Sequence, residues 1–284
     1  MPHFSSTVEV MQIWLPPSEG KRTPLSGPPL DWAALSYPEL TAHRQRVAEA
    51  LMALGTGEDA ADILGLGAKS RADLELNAAL LTNPCAVSEE VFTGVLFNAA
   101  DLPALAQDAD TAAATRSAIR IFSGLFGVLQ VGDLIPDHRL SMGVKLPGIG
   151  GLAASWRAHL DAALQGDYDG GVILDMRSGP YRNACPAPWA TIWQVGVVRE
   201  AGGKRSVVSH EAKQWRGLLT GFLVRMGSLP ADEAGAETAL SAATSMAPVR
   251  DAKGVEHRVT AVEFSEPAVT KKGGVTRTVT LVTN

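Results

Sequence analysis

The chain has 284 residues, 46% hydrophobic and 19% charged, with a formal net charge of -5. Such a composition can bury a sizeable core in one large domain or two small ones. It excludes a uniformly basic nucleic-acid binder while leaving room for a local basic groove. Cys85 and Cys185 fall outside any CxxC or Cys/His ligand spacing, so no disulfide framework is expected and a reducing cytoplasm fits. Residues 1–10 lack the basic start and apolar middle of a signal peptide and read as an N-terminal extension. The longest apolar stretch, Ile121 to Gly132, is too short to span a bilayer. The expectation is a cytoplasmic protein with no membrane partner.

In chain order, Val8 to Leu15 reads as a strand stopped by Pro16-Pro17. Pro38 to Leu54 is helical, with Leu40, Val47, Ala48, Leu51 and Leu54 forming an apolar stripe. Two short helical segments flank Gly65-Leu66-Gly67, and Ser88 is placed to cap a Ser-Glu-Glu-Val helix start. Thr111 to Ile121 and Leu152 to Leu164 follow as helices. Gly171 to Met176 is a buried strand, joined by strands at Thr191 to Arg199 and Ser206 to Val208. A helix runs from His210 to Met226, with Ser209 as its cap, and the Ala-rich 231–247 stretch reads as a connector. Val259 to Phe264 and Val275 to Val282 form an antiparallel pair around the Thr270 to Gly274 turn. The fold class is mixed α/β (α+β): a single compact domain around a mixed sheet, with a helical excursion near residues 38–82.

Four segments carry residues suited to chemistry. Arg139 sits among apolar neighbours after the run Ile121 to Gly132; a buried arginine needs a carboxylate or a bound anion. Pro16-Pro17-Ser18-Glu19-Gly20-Lys21 lies at a strand exit, where α/β proteins place sites, but lacks P-loop spacing. Ser178 and Tyr181 leave the next buried strand through a Gly-Pro turn. Lys213 and Arg216 share a face early in the 210–226 helix, where cations oppose the helix dipole unless an anion is present. The Gly65-x-Gly67 element, with Lys69 and Arg71 beside it, has the lettering of a helix-hairpin-helix that holds a DNA phosphate. Leu146-Pro147-Gly148-Ile149-Gly150 reads instead as a turn before the 152–164 helix. The six histidines form no HExxH or HxxxH pair, so no metal site and no cofactor are expected.

Taken in order, Pro16 to Lys21, Val91-Phe92-Thr93-Gly94, Ser123 to Leu129, Asp133 to Gly143, Ser178 with Tyr181, and Lys213 with Arg216-Gly217 resemble the YaaA-type peroxide stress resistance family. The resemblance implies one domain over 11–284, a positively charged cleft, and a helix-hairpin-helix-like element binding DNA by structure rather than sequence. It further implies a role in limiting oxidative damage by restraining free iron. Lys21, Arg139, Ser178, Tyr181, Lys213 and Arg216 are the residues it carries over. Where that family tends to have tyrosine, this chain has Phe92, Phe126 and His138; Gln130-Val131 and Pro180 replace an Arg-Pro pair and an acid. Such changes suit a specialised paralogue with a different ligand.

Two functions follow. In the first, Lys21, Gly65, Gly67, Lys69, Arg71, Lys213 and Arg216 contact DNA phosphates, with steep salt dependence. In the second, an enzyme clamps a small phosphate- or carboxylate-bearing substrate with Ser18, Lys21, Arg139, Ser178, Lys213 and Arg216. Glu19 or Tyr181 then serves as acid or base and Lys21 as a nucleophile.

Overall fold

A computed structural model describes residues 11–208, 210–230, 232–251 and 254–284. Its main sheet has nine strands: β1 (Gln12–Leu15), β2 (Ile119–Ser123), β3 (Gly127–Gln130), β4 (Val172–Asp175), β5 (Thr191–Ala201), β6 (Lys204–Val207), β7 (Val259–Phe264), β8 (Ala268–Val269) and β9 (Val275–Thr283). The order is β7-β9-β5-β4-β1-β2-β3, with β6 on β5 and β8 on β9. Five neighbours, β9, β5, β4, β1 and β2, run parallel, and β7 and β3 close the edges antiparallel. β1 and β4 are buried along their whole length, which explains their near-continuous apolar sequences. β5 turns into β6 through Gly202-Gly203, both at positive φ (56° and 72°), the backbone a two-residue hairpin requires.

The helices are α1 (Thr41–Met52), α2 (Glu58–Leu64), α3 (Leu74–Ala78), α4 (Ser88–Val91), α5 (Val95–Ala100), α6 (Leu102–Gln107), α7 (Ala112–Ala118), α8 (Leu152–Gly166), α9 (Gly179–Ala184), α10 (His210–Arg225) and α11 (Glu233–Ser241). α1 to α7 all lie in the link between β1 and β2, whereas β4 reaches the other side of β1 after α8. The chain therefore leaves β1 in one direction and returns on its other flank, the arrangement that opens a crevice at strand carboxyl ends. α10 lies directly on α5: a Cβ at Gly217 would stand 2.2 Å from the Leu96 carbonyl oxygen, and one at Gly221 2.7 Å from that of Ala100.

Beneath the crevice, the buried Asp175 accepts two bonds from the Arg177 guanidinium, at 2.8 and 3.0 Å. The same guanidinium packs against the rings of Trp14 (4.5 Å) and Phe122 (4.2 Å). Burial alone would raise the Asp175 carboxyl, yet Arg177 and Arg182 hold it below its ordinary value.

Several expectations are met and others are corrected. The strands expected at 171–176 and 191–199, the antiparallel 259–264/275–282 pair and the 146–150 turn are present. The helix expected over 38–54 is a 3-10 turn at Pro38–Leu40 followed by Thr41–Met52, and the strand expected at 206–208 runs Lys204–Val207. The helix expected over Thr111 to Ile121 ends at Ala118, and Ile119 starts a fully buried strand; two β-branched isoleucines and Phe122 favour the pleated interior. Val87, not Ser88, caps α4, because the Ser88 hydroxyl donates to the Gln130 carbonyl at 3.0 Å. The supposed 231–247 connector holds α11, whose cap Asp232 accepts from Gly235 N, followed by a 3-10 turn over Ala242–Ser245. Val8 to Val10, Ser209 and Ala231 lie outside the described residues.

Candidate functional site

The segments leaving β1, β2 and β4 meet at the carboxyl end of the sheet. After β1, the Pro16 to Lys21 loop is bound to the Phe92–Gly94 turn: Arg22 N donates to Val91 O (2.8 Å), Thr93 N to Gly20 O (3.0 Å), and Lys21 forms a bridge with Phe92. Gly94, at φ 118°, fits there because a Cβ would press within 2.5 Å of the Ser18 hydroxyl. After β2, Gly124 permits equally close contact with the Leu140 carbonyl, 2.5 Å from where its Cβ would be. After β4, the Tyr181 hydroxyl accepts from Met142 N at 3.4 Å. The 137–142 strip thus lies against all three exits.

Arg139 finds carboxylates. Its Nε donates to Asp73 (2.8 Å) and its Nη1 to Asp137 (2.5 Å) and to the His138 carbonyl (3.1 Å). Thr23 donates to the other Asp137 oxygen at 2.7 Å, and Asn77 clasps the Arg139 backbone through both its amide and its carbonyl, at 2.9 and 2.8 Å. Lys21, half-buried beside this network, has no ion pair among the described residues. Its Nζ donates to the Ser18 carbonyl (3.0 Å) and lies 5.6 Å from the centre of the Phe92 ring. Burial, then repulsion from Arg139, pulls the Lys21 ammonium down to about 8, against the pull of Asp137, Glu19 and Asp73. Burial and the Lys21 charge press His138 down to about 3, so its ring is neutral, and its Nδ1 pairs with the Pro136 carbonyl at 3.0 Å.

Tyr181 is buried; burial raises its phenol, the Met142 amide opposes that, and the Glu19 carboxylate adds to it. The charges of Arg139 and Glu19 act on Lys21, and that of Glu19, an exposed residue on the same loop, acts also on Tyr181. Ser18 contributes its carbonyl to Lys21. Ser178 is exposed and caps α9 without a side-chain bond; its carbonyl accepts from the amides of Tyr181 and Arg182. Arg216 turns away to the backbone, donating to Val195 O (2.8 Å through Nη2) and Met176 O (3.4 Å). Burial and the neighbouring Arg182 lower its pKa, and Asp175 offsets them. Lys213 is exposed to solvent on α10.

The Gly65–Gly67 hairpin joins α2 to a 3-10 turn over Ala68–Asp73 and then α3. Gly65 is left-handed (φ 65°), and nothing stands within 4 Å of a Cβ at either glycine. Lys69 is exposed, whereas Arg71 is paired with Glu58 at 3.2 Å. The same element carries Glu58, Asp59, Asp62, Asp73 and Glu75, five acids against two bases.

The profile of the family described as Peroxide stress protein YaaA matches residues 11–231. The chain belongs to the peroxide stress protein YaaA family. A UPF0246 protein of Streptomyces coelicolor is 39% identical over 78% of this chain and 85% of its own length. One from Corynebacterium efficiens is 39% identical over 75% and 84%, and one from Corynebacterium glutamicum 38% over 73% and 82%. The YaaA match stops before α11, β7, β8 and β9, so the outer strands of the sheet come from beyond it. Three positions at which this YaaA chain was read as departing from tyrosine pack on one another: the His138 ring meets Phe126 edge-on at 5.1 Å and Phe92 at 6.3 Å. Of the three, the Phe92 ring lies directly against Lys21.

The described residues also line cavities outside this cluster. One of about 240 Å³, lined by Arg22, Glu90, Phe92, Asn98 and Asp101 among others, backs onto the Lys21–Phe92 bridge. Another of about 560 Å³, lined in part by Tyr37, Gln130 and Asp167, lies at the amino ends of the strands. Sequence reading missed its Tyr37–Asp167–Arg120 network (2.7 and 2.8 Å); the left-handed backbone at Tyr37 (φ 59°) carries no sequence signal. It also missed Asp73, Asn77, Asp137 and Thr23. Asp137, two residues before Arg139, was the one with a signal. Among the described residues no cluster of three or more His, Cys, Asp or Glu is set to hold a metal, and no helix is long and apolar enough to cross a membrane.

Proposed function

We propose that this YaaA-family protein binds a small carboxylate- or phosphate-bearing molecule at the carboxyl ends of β1, β2 and β4, and acts on it there. The observation that carries this reading is the imbalance at Lys21. Arg139 and Thr23 occupy Asp73 and Asp137, and the exposed Glu19, whose charge also acts on the lysine, makes no ion pair with it. This leaves a half-buried ammonium whose one hydrogen-bond partner among the described residues is a carbonyl. An incoming anion supplies what the lysine lacks, in a setting where charge interactions are strengthened by low dielectric. Arg139 has a second free group, since its Nη2 makes no hydrogen bond to the described residues. Glu19, on the Lys21 loop, is the nearest candidate base, and the Tyr181 hydroxyl beside Met142 N the candidate acid.

Calorimetric titration with inorganic phosphate and with lactate at low salt tests the reading. Lys21→Gln should weaken binding about tenfold or more, equivalent to about 1.4 kcal/mol, whereas Lys204→Gln on β6 should not. Equal binding by Lys21→Gln and the unaltered protein would remove the site. A second reading, DNA held by the Gly65–Gly67 hairpin, is favoured by the open space above both glycines and by exposed Lys69. The five acids on the same element weigh against it. It calls for a gel shift of duplex or branched DNA at low salt that weakens in Lys69→Glu; absence of the shift rejects it.

A further inference from the structure

Lys21 differs from a lysine retained for structure. A buried cation is ordinarily satisfied by several partners, because removing it from water costs several kcal/mol. Arg139 and Arg177 have two carboxylate contacts each, and the fully buried Arg44 donates to three backbone carbonyls. Lys21 follows it only through the Ser18 carbonyl. One side of its surroundings is apolar or uncharged: the Phe92 ring and, packed on that ring, the His138 ring, whose Nδ1 is committed to Pro136 O. The Arg139 guanidinium, tied to the same loop through Asp137 and Thr23, acts on Lys21 as a second positive charge. Desolvation beside a second cation is the environment that turns a lysine into a free amine at neutral pH, in keeping with its depressed ionisation. Arg139 also offers Nη2 for a carboxylate. An anionic group and an electrophilic carbon are therefore wanted close together, and a 2-oxo acid has them on adjacent atoms.

We propose that Lys21 is an amine nucleophile that condenses with the carbonyl of a small 2-oxo acid whose carboxylate is held by Arg139. This rests on the anion-site reading above. The Lys21 nitrogen lone pair forms a C–N bond as the carbonyl π-electrons move to oxygen. The proton leaving nitrogen passes to that oxygen, for which Glu19, two residues away on the same loop, is the candidate relay. The carbinolamine hydroxyl then takes a second proton, supplied from solvent on the exposed Glu19 side, and departs as water. The product is a protonated imine plus one water, with no oxidant or reductant required.

The test uses the full chain with glyoxylate, pyruvate or 2-oxoglutarate and sodium cyanoborohydride, read by intact mass and peptide mapping. The expected result is one reduced adduct, on Lys21, formed roughly tenfold or more faster than on any other lysine because of its larger free-amine fraction. It should be slowed by excess lactate and absent in Lys21→Arg, whose fold is checked by circular dichroism and thermal unfolding. If lactate and the 2-oxo acids bind by calorimetry but no adduct forms on Lys21, the nucleophile proposal is overturned while the anion site stands. Adducts scattered over exposed lysines, with no Lys21-dependent binding, overturn both.

Discussion

Replacing Lys21 by methionine should make the protein more stable at neutral pH. In the unfolded chain the ammonium holds its proton up to about 10.5, whereas the folded protein releases it near 8. Carrying the charge into the fold therefore costs at most about 3 kcal/mol. Partial exposure and loss of the bond to Ser18 O reduce the expected gain from Lys21→Met to about 1–2 kcal/mol at pH 7. The cost is full below the folded value and fades as pH rises from about 8 toward 10.5, because between those limits the unfolded state binds more protons. The advantage of the variant should shrink over the same window. Urea unfolding of both proteins at pH 7 and pH 9.5 measures this, since contributions common to the two cancel in the difference. A Lys21→Met variant that is less stable at pH 7 by more than about 1 kcal/mol, with no change at higher pH, would make Lys21 a structural tether and refute the electrostatic reasoning.

Asp175→Ala should cost about 3–5 kcal/mol, because it strands the Arg177 guanidinium between Trp14 and Phe122; denaturant unfolding will show it, and a neutral outcome would mean that the pair is dispensable. Since the Asp175 pKa is lowered by folding, its contribution is present above the unfolded value of 3.8 and is lost as pH falls through the folded value. Gly217→Ala should destabilise by about 3 kcal/mol despite better helix propensity, as its Cβ meets the Leu96 carbonyl; thermal unfolding checks this. Burial raises both thiols to about 11, so neither Cys85 nor Cys185 should react with a disulfide reagent in the native state. Rapid native labelling would contradict that and admit a thiol-based response to peroxide.

The fold was legible where burial and local pattern agree. β4 reads as Val-Ile-Leu-Asp because it is covered on both faces, and the β7–β9 pair is set by alternating residues on either side of a Gly-rich turn. α11 was hidden because alanine serves a helix as well as a connector, and the α7–β2 junction because Ile119 continues an apolar run without a stop signal. At the site, Lys21, Glu19, Arg139 and Tyr181 were visible as polar residues at strand exits. Their partners were not: Asp73 and Asn77 lie 66 and 62 residues from Arg139, and only the tertiary fold brings them together. Arg216 and Lys213 looked equivalent by helical spacing, but spacing does not reveal that Arg216 is consumed by the Val195 carbonyl within β5 and the Met176 carbonyl just past β4.

The central claim is that Lys21 is a desolvated ammonium short of a counter-charge that an anionic ligand provides. An NMR titration of the Lys21 ε-methylene against pH, with and without inorganic phosphate, addresses it directly. The account predicts a midpoint near 8 in the free protein, moved upward by phosphate because an adjacent anion favours the charged form. A midpoint near 10.5, unchanged by phosphate, would contradict it.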